Sequence, residues 1–124
     1  MPIEQFRLSG KAKDQLVKLK RYTGIKNWNV LCRWAFCISL SEPTSPAPSR
    51  IPTDSNVEMS WRVFAGGHPE LYLALLKQRC SEDGVPLDDA TLDQQFRLHL
   101  HRGIGYLSAN REIRSMAAFV HQTV

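Results

Sequence analysis

No run of apolar residues in this chain approaches the ~20 needed to cross a bilayer. The N-terminus is polar and lacks the pattern of a secretory signal, so the expected location is the cytoplasm. Cysteine is sparse. Cys32, Cys37 and Cys80 cannot all pair within one chain, which fits a reducing compartment rather than a disulfide scaffold. Cys32 and Cys37 fall inside an apolar helical pattern and read as small buried hydrophobes. Also missing are a P-loop, a glycine-rich dinucleotide turn, a Ser/His/Asp arrangement of recognisable spacing and a paired zinc-ligand motif. No catalytic residue, metal or cofactor is therefore assigned.

Acid is scarce in one place only. Up to residue 40, Glu4 and Asp14 stand against Arg7, Lys11, Lys13, Lys18, Lys20, Arg21, Lys26 and Arg33, two acids to eight bases, a net +6. The remaining residues hold eight bases and ten acids, a net −2. A basic pI of about 9.2 thus arises from one end of the chain. Charge of one sign gathered locally is the footprint of a polyanion partner, most often nucleic acid, although a solvated helix face carries the same charge.

The 124 residues, 43% apolar and 23% charged, are the length and composition of a single globular domain. Residues 3–9 alternate, with Phe6 and Leu8 on one side and Gln5, Arg7 and Ser9 on the other, as a half-buried strand requires. Ser9 suits the cap of a helix over about 10–23, in which Ala12, Leu16 and Leu19 form a narrow apolar stripe and Gly24 is a stop. A second helix is predicted from Asn27 to Leu40. Leu31, Trp34, Ala35 and Ile38 make its main stripe, while Val30, Phe36, Cys37 and Leu40 carry apolar character onto its other faces. A helix apolar nearly all round must be buried nearly all round, and in a domain this small a second subunit is an obvious source of cover. Leu31, Trp34, Phe36, Ile38 and Leu40 are accordingly the expected oligomer interface.

Residues 41–56 contain Pro43, Pro46, Pro48 and Pro52 and read as an extended surface loop or a locally disordered link. Val57, Met59, Trp61 and Val63 alternate with polar residues and predict a small second strand, ended by Gly66 and Gly67. Pro69 opens a third helix to about Cys80, and a turn surrounds Gly84. Asp88 or Asp89 caps a fourth helix with Leu92, Phe96, Leu100 and Ile104 at intervals of four; close packing is expected at Gly103 and Gly105. A last helix is predicted in the tail through Ile113, Met116, Ala117 and Val120. The fold class is therefore mainly α in an oligomeric assembly, with a basic 3–40 part, the 41–56 loop and a mainly helical 57–124 part.

A strand followed by two helices has the order of a ribbon-helix-helix module, whose paired strands enter a DNA major groove. Gln5 and Arg7 would then face outward, toward base edges or phosphates. Lys11, Lys13, Lys18, Lys20, Arg21 and Lys26 are the expected phosphate contacts, since ammonium groups act as point charges without bidentate geometry. His99 and His101 lie two positions apart, on opposite sides of a helix, and cannot share a metal. Asp88, Asp89 and Asp93 suit a helix N-terminus better than a cation site. Tyr22, beside Lys20 and Arg21, is read as packing or phosphate contact before strand cleavage.

Three strings carry a closer resemblance. The run from Asn29 to Leu40 with Glu42-Pro43, the Phe6-Arg7-Leu8-Ser9 string before the basic helix, and Phe96 to Gly103 (Phe-Arg-Leu-His-Leu-His-Arg-Gly) resemble the DndE family of bacterial DNA sulfur modification proteins, over about residues 3–107. The resemblance implies an accessory subunit of the machinery that replaces a non-bridging phosphate oxygen of DNA with sulfur. It implies a homotetramer that binds duplex DNA, notably nicked duplex, beside a cysteine desulfurase, a reductase-like iron–sulfur subunit and an ATPase. It supplies no catalytic motif. A ribbon-helix-helix regulator, a DNA-nicking enzyme of the same pathway, and a scaffold that docks acidic subunits are the alternatives.

Overall fold

The computed structural model describes residues 2–110; the helix predicted beyond Asn110 lies outside them. Its elements are β1 (Gln5–Arg7), α1 (Gly10–Thr23), α2 (Trp28–Ser41), β2 (Glu58–Ser60), α3 (Trp61–Ala65), α4 (Pro69–Glu82) and α5 (Asp89–Ala109). Ser9 caps α1 by accepting a hydrogen bond from the Ala12 amide, and Gly24 ends it at φ 74°, in the left-handed region that glycine enters without strain. Asp88 caps α5: one carboxylate oxygen accepts from the Thr91 amide at 2.9 Å and the other from its hydroxyl at 2.8 Å. Those bonds hold the Asp88 carboxyl below the usual carboxylate range.

Strand β1 pairs antiparallel with β2, Phe6 opposite Met59, and the Leu8 and Trp61 amides extend the ladder to Val57 and Glu4. The strand–helix–helix order of the N-terminal part is present, and β1 finds its strand partner in β2 of the same chain. The second strand is also shorter than its alternation suggests. Ser60 accepts from the Val63 amide and starts α3, because Trp61, Phe64 and Ala65 stand at helical spacing and all three are buried. Val63, predicted to lie on the strand's apolar side, is 53% exposed.

The core is aromatic at its centre. Phe96 of α5 lies 5.0 Å, ring centre to ring centre, from Phe6, Trp61 and Phe64, and 5.4 Å from Phe36, mostly edge to face. One ring thereby joins β1, α2, α3 and α5. The main helical seam is α2 on α5. A Cβ at Gly103 would run into the Ala35 carbonyl, so the two backbones meet where only glycine fits. Gly105 has open space instead, so the close packing expected at both glycines occurs at one.

Leu31 and Phe36 are fully buried in this intrachain core and offer nothing to a second copy. Their expected interface role is corrected: α1, α3 and α5 supply the cover the apolar pattern demanded. Ile38 and Leu40 are half-buried against the same core. Trp34 is the member of that set left out, 47% exposed. Cys32 is buried as expected of a small hydrophobe, whereas Cys37, expected to be buried with it, is exposed; Cys80 is buried as well. Burial pushes the Cys32 thiol up to about 12, so it stays protonated.

Candidate nucleic-acid interface

Helix α1 buries Ala12, Leu16 and Leu19 and leaves the rest of its circumference for charge. At 3.6 residues per turn its bases fall into two rows on either side of the solvent arc. Lys11 and Lys18, with Arg21 beside them, form one row; Lys13 and Lys20 form the other. The rows are not equivalent. Lys13 donates to the Asn56 side-chain oxygen at 2.6 Å, and the Lys20 ammonium sits 4.6 Å from the Trp28 ring centre, a cation–π contact. Lys11, Lys18 and Arg21, and Lys26 beyond the helix, are exposed and make no hydrogen bond or ion pair among the described residues.

The outward strand residues differ from each other as well. Gln5 is exposed as expected. Arg7 pairs with Glu58 at 3.1 Å across the ladder and donates to the Ser55 carbonyl, so β2 has already engaged it. Of the eight residues expected at DNA, Lys11, Lys18, Arg21 and Lys26 form an open cationic surface, Gln5 stands apart on the strand, and Lys13, Lys20 and Arg7 have partners within the fold.

Two further arginines carry charge of a different kind. Arg79 is buried and donates to the carbonyls of Leu40, Glu42, Pro43 and Thr44 at 2.7–3.2 Å, with Asp83 on its Nε at 3.0 Å. Arg102 donates to the Ser39 hydroxyl and carbonyl and to the Thr44 carbonyl. Both cations satisfy the orphan carbonyls where α2 ends and fix the start of the proline-rich segment. Its far end is tied through Asp54 to the Gly10 amide at 2.7 Å and through the Ser55 hydroxyl to Leu8. The 41–56 segment is therefore a strap held at both ends.

The histidines are polar links within the fold. His99 is buried, with Nδ1 2.8 Å from the Ser39 hydroxyl. Its Nε2 has no partner among the described residues. Burial, then the Arg102 and Arg79 charges, hold its pKa down to about 4. His101 accepts from the Ser9 amide through Nε2 and contacts the Arg97 carbonyl through Nδ1, which fixes the neutral Nδ1–H tautomer. Burial lowers its pKa, against the Arg97 hydrogen bond. Among the described residues no three His, Cys, Asp or Glu side chains gather to hold a metal, and no helix is long and apolar enough to cross a membrane.

A family model described as DNA sulphur modification protein DndE matches residues 5–115. The chain belongs to the DndE family. A crystal structure of DndE from Escherichia coli B7A, involved in DNA phosphorothioation modification, superposes with a TM-score of 0.71 at 27% identity, covering 86% of this chain and 98% of that one. A glycine-to-lysine DndE mutant involved in DNA phosphorothioation superposes at 0.66 with 22% identity and the same coverage. No curated protein matches the chain. The DndE match takes in β1, every helix of the described residues and the whole strap, so the basic α1 face lies inside the family's own fold.

The sequence reading missed the two structural arginines. Arg79 lies on the stripe of Tyr72, Leu76 and Cys80, and a charge on the buried side of a helix was the signal available.

Proposed function

We propose that this chain is a DNA-binding accessory subunit of the phosphorothioation machinery, holding duplex DNA by its backbone phosphates, nicked duplex in preference. The observation that carries the reading is the unpartnered row of Lys11, Lys18 and Arg21, extended by Lys26, on the outer face of α1 in a DndE-family chain. Lysine-rich surfaces grip phosphates without reading bases, so the affinity follows charge and DNA shape more than sequence. The chain carries no catalytic step in this reading. Sulfur chemistry belongs to partner subunits, among them a reductase-like iron–sulfur protein and an ATPase, in the cytoplasm. Copies of the chain assemble, as a tetramer, through the exposed side of α2, where Trp34 is flanked by Val30, Cys37 and the half-buried Ile38 at helical spacing. Exposed tryptophan amid apolar neighbours is a common interface anchor.

The test compares intact, nicked and single-stranded DNA at several salt concentrations. If the four open cations neutralise about four phosphates, log K falls against log[salt] with a slope of about −4 per bound chain for duplex. Replacing Lys11, Lys18 and Arg21 by Gln lowers that slope by about 3. A salt-independent affinity, or an unchanged slope in the triple variant, ends the reading. Sedimentation as a monomer at micromolar concentration ends the assembly part alone. A supercoiled plasmid nicked by the pure protein would instead establish the enzyme alternative.

A further inference from the structure

Between the strap and the start of α1 lies a cavity of about 250 Å³ that has Lys11 in common with the DNA-binding face and is otherwise separate from that row. Its walls come from three elements far apart in sequence. Lys11 and Gln15 come from α1, Ser49 and Arg50 from the strap, and His101 and Gly105 from α5. Lys11 and Arg50 have no hydrogen bond or ion pair among the described residues, and both are exposed. His101 is kept neutral by its bonds to Ser9 and Arg97. The nearest helix end is already taken, because the Asp54 carboxylate accepts from the Gly10 amide. Any attraction for an anion therefore rests on the two side-chain cations. Gly105 widens the floor: a Cβ there meets nothing within 4 Å, so no packing requirement explains the missing side chain.

We infer that this cavity binds a phosphomonoester. Two unpaired cations match the charge of that group, close to −2 at neutral pH, better than they match the single charge of a phosphodiester. The Arg50 guanidinium offers the bidentate geometry that phosphate oxygens accept, and the Lys11 ammonium adds a second positive charge. Gln15 and Ser49 add neutral donors. The strap forms one wall, and a phosphate at a strand end, tethered on one side only, fits such a recess better than an internal phosphate with chain on both sides. The source assigned to it is the 5′-phosphate at a break in DNA. That source rests on the DNA-binding reading above; the phosphomonoester chemistry does not.

Two variants isolate the site. Gly105→Leu fills the floor at a helical position with room for the side chain, and Arg50→Gln removes a strap cation without touching the α1 row. Fluorescence anisotropy then compares duplexes nicked with a 5′-phosphate or a 5′-hydroxyl, and intact duplex, on the full chain. The wild type is expected to favour the 5′-phosphate nick by about tenfold or more, the worth of one charge-assisted hydrogen bond. Both variants should erase that preference and leave intact-duplex affinity as it was. In parallel, inorganic phosphate and adenosine 5′-monophosphate are titrated into the protein and followed by amide NMR shifts at Arg50 and Gln15. Shifts there with equal binding of the two nicks would support the site and move its source to a free mononucleotide. Equal binding with no shifts, or a 5′-phosphate preference that survives both variants, overturns the inference. A wild type that binds no DNA yet shows the shifts overturns the DNA-binding reading and keeps the site.

Discussion

Two regions of this molecule spend positive charge in opposite ways. On the outer face of α1, Lys11, Lys18 and Arg21 extend into solvent with no partner among the described residues. Where α2 ends, Arg79 and Arg102 direct all of their terminal guanidinium nitrogens at carbonyls of residues 39–44. The residue types are similar, and position alone decides the role. A cation in water attracts whatever anion arrives, but a cation buried among carbonyls is committed to the fold. Net charge by itself therefore overstates the surface available to a polyanion.

The contrast breaks most readily at the seam. Replacing Arg79 by Met takes its donors from the Leu40, Glu42 and Pro43 carbonyls, leaves Thr44 to Arg102 alone and Asp83 without its cation, and stability should fall by about 3–5 kcal/mol in urea unfolding. An effect below 1 kcal/mol would place Arg79 with the surface bases. The paired substitutions Gly103→Ala and Gly105→Ala probe the same seam two positions apart. The first drives a Cβ into the Ala35 carbonyl and should cost about 3 kcal/mol, whereas the second should stabilise by about 1 kcal/mol. Equal signs for the pair would contradict the close approach.

His99 gives the seam a pH signature. Its folded pKa of about 4 lies below the 6.5 of an unfolded imidazole, so the unfolded chain binds more protons between those values. The neutral-His99 contribution is complete above pH 6.5, declines as the pH falls and is exhausted near pH 4, a loss of about 3 kcal/mol. Chemical denaturation at each pH should trace that decline, and His99→Asn should make it shallower, leaving the part that His101, its pKa also lowered by burial, contributes. A wild-type profile level across the interval would contradict the assignment. At the α1 face the expected effect is the smallest: the Lys11, Lys18 and Arg21 to Gln triple variant should hold stability within about 0.5 kcal/mol. A larger loss would mean those side chains serve the fold after all.

Much of this was legible beforehand, for a reason that differs between elements. Ser9, the stripe of Ala12, Leu16 and Leu19, and Gly24 are local signals, and α1 occupies the span they mark. Helix α2 was harder. Its apolar residues announced complete burial, but periodicity cannot say whether the cover comes from the same chain. Leu31 and Phe36 are covered by elements up to seventy residues away, and Trp34 is not. Likewise the alternation from Val57 to Val63 fits a strand until Ser60 offers a cap, where it fits a helix equally well. Within the expected DNA-contacting set, sequence located the charge, while the partners of Lys13, Lys20 and Arg7 on the strap, α2 and β2 became visible only with the fold.

The pairing of β1 with β2 has a consequence for the order in which the protein comes into being. Some fifty residues separate the two strands, and Phe96 lies further still along the chain. On a ribosome the first strand emerges first and is completed among the last. Until residues 58–64 emerge, Phe6 has neither its ladder partner nor the Phe64 ring, the Phe96 ring follows later still, and the basic helix beside it is meanwhile displayed without the full core that will anchor it. The earliest part of the chain must wait for the latest.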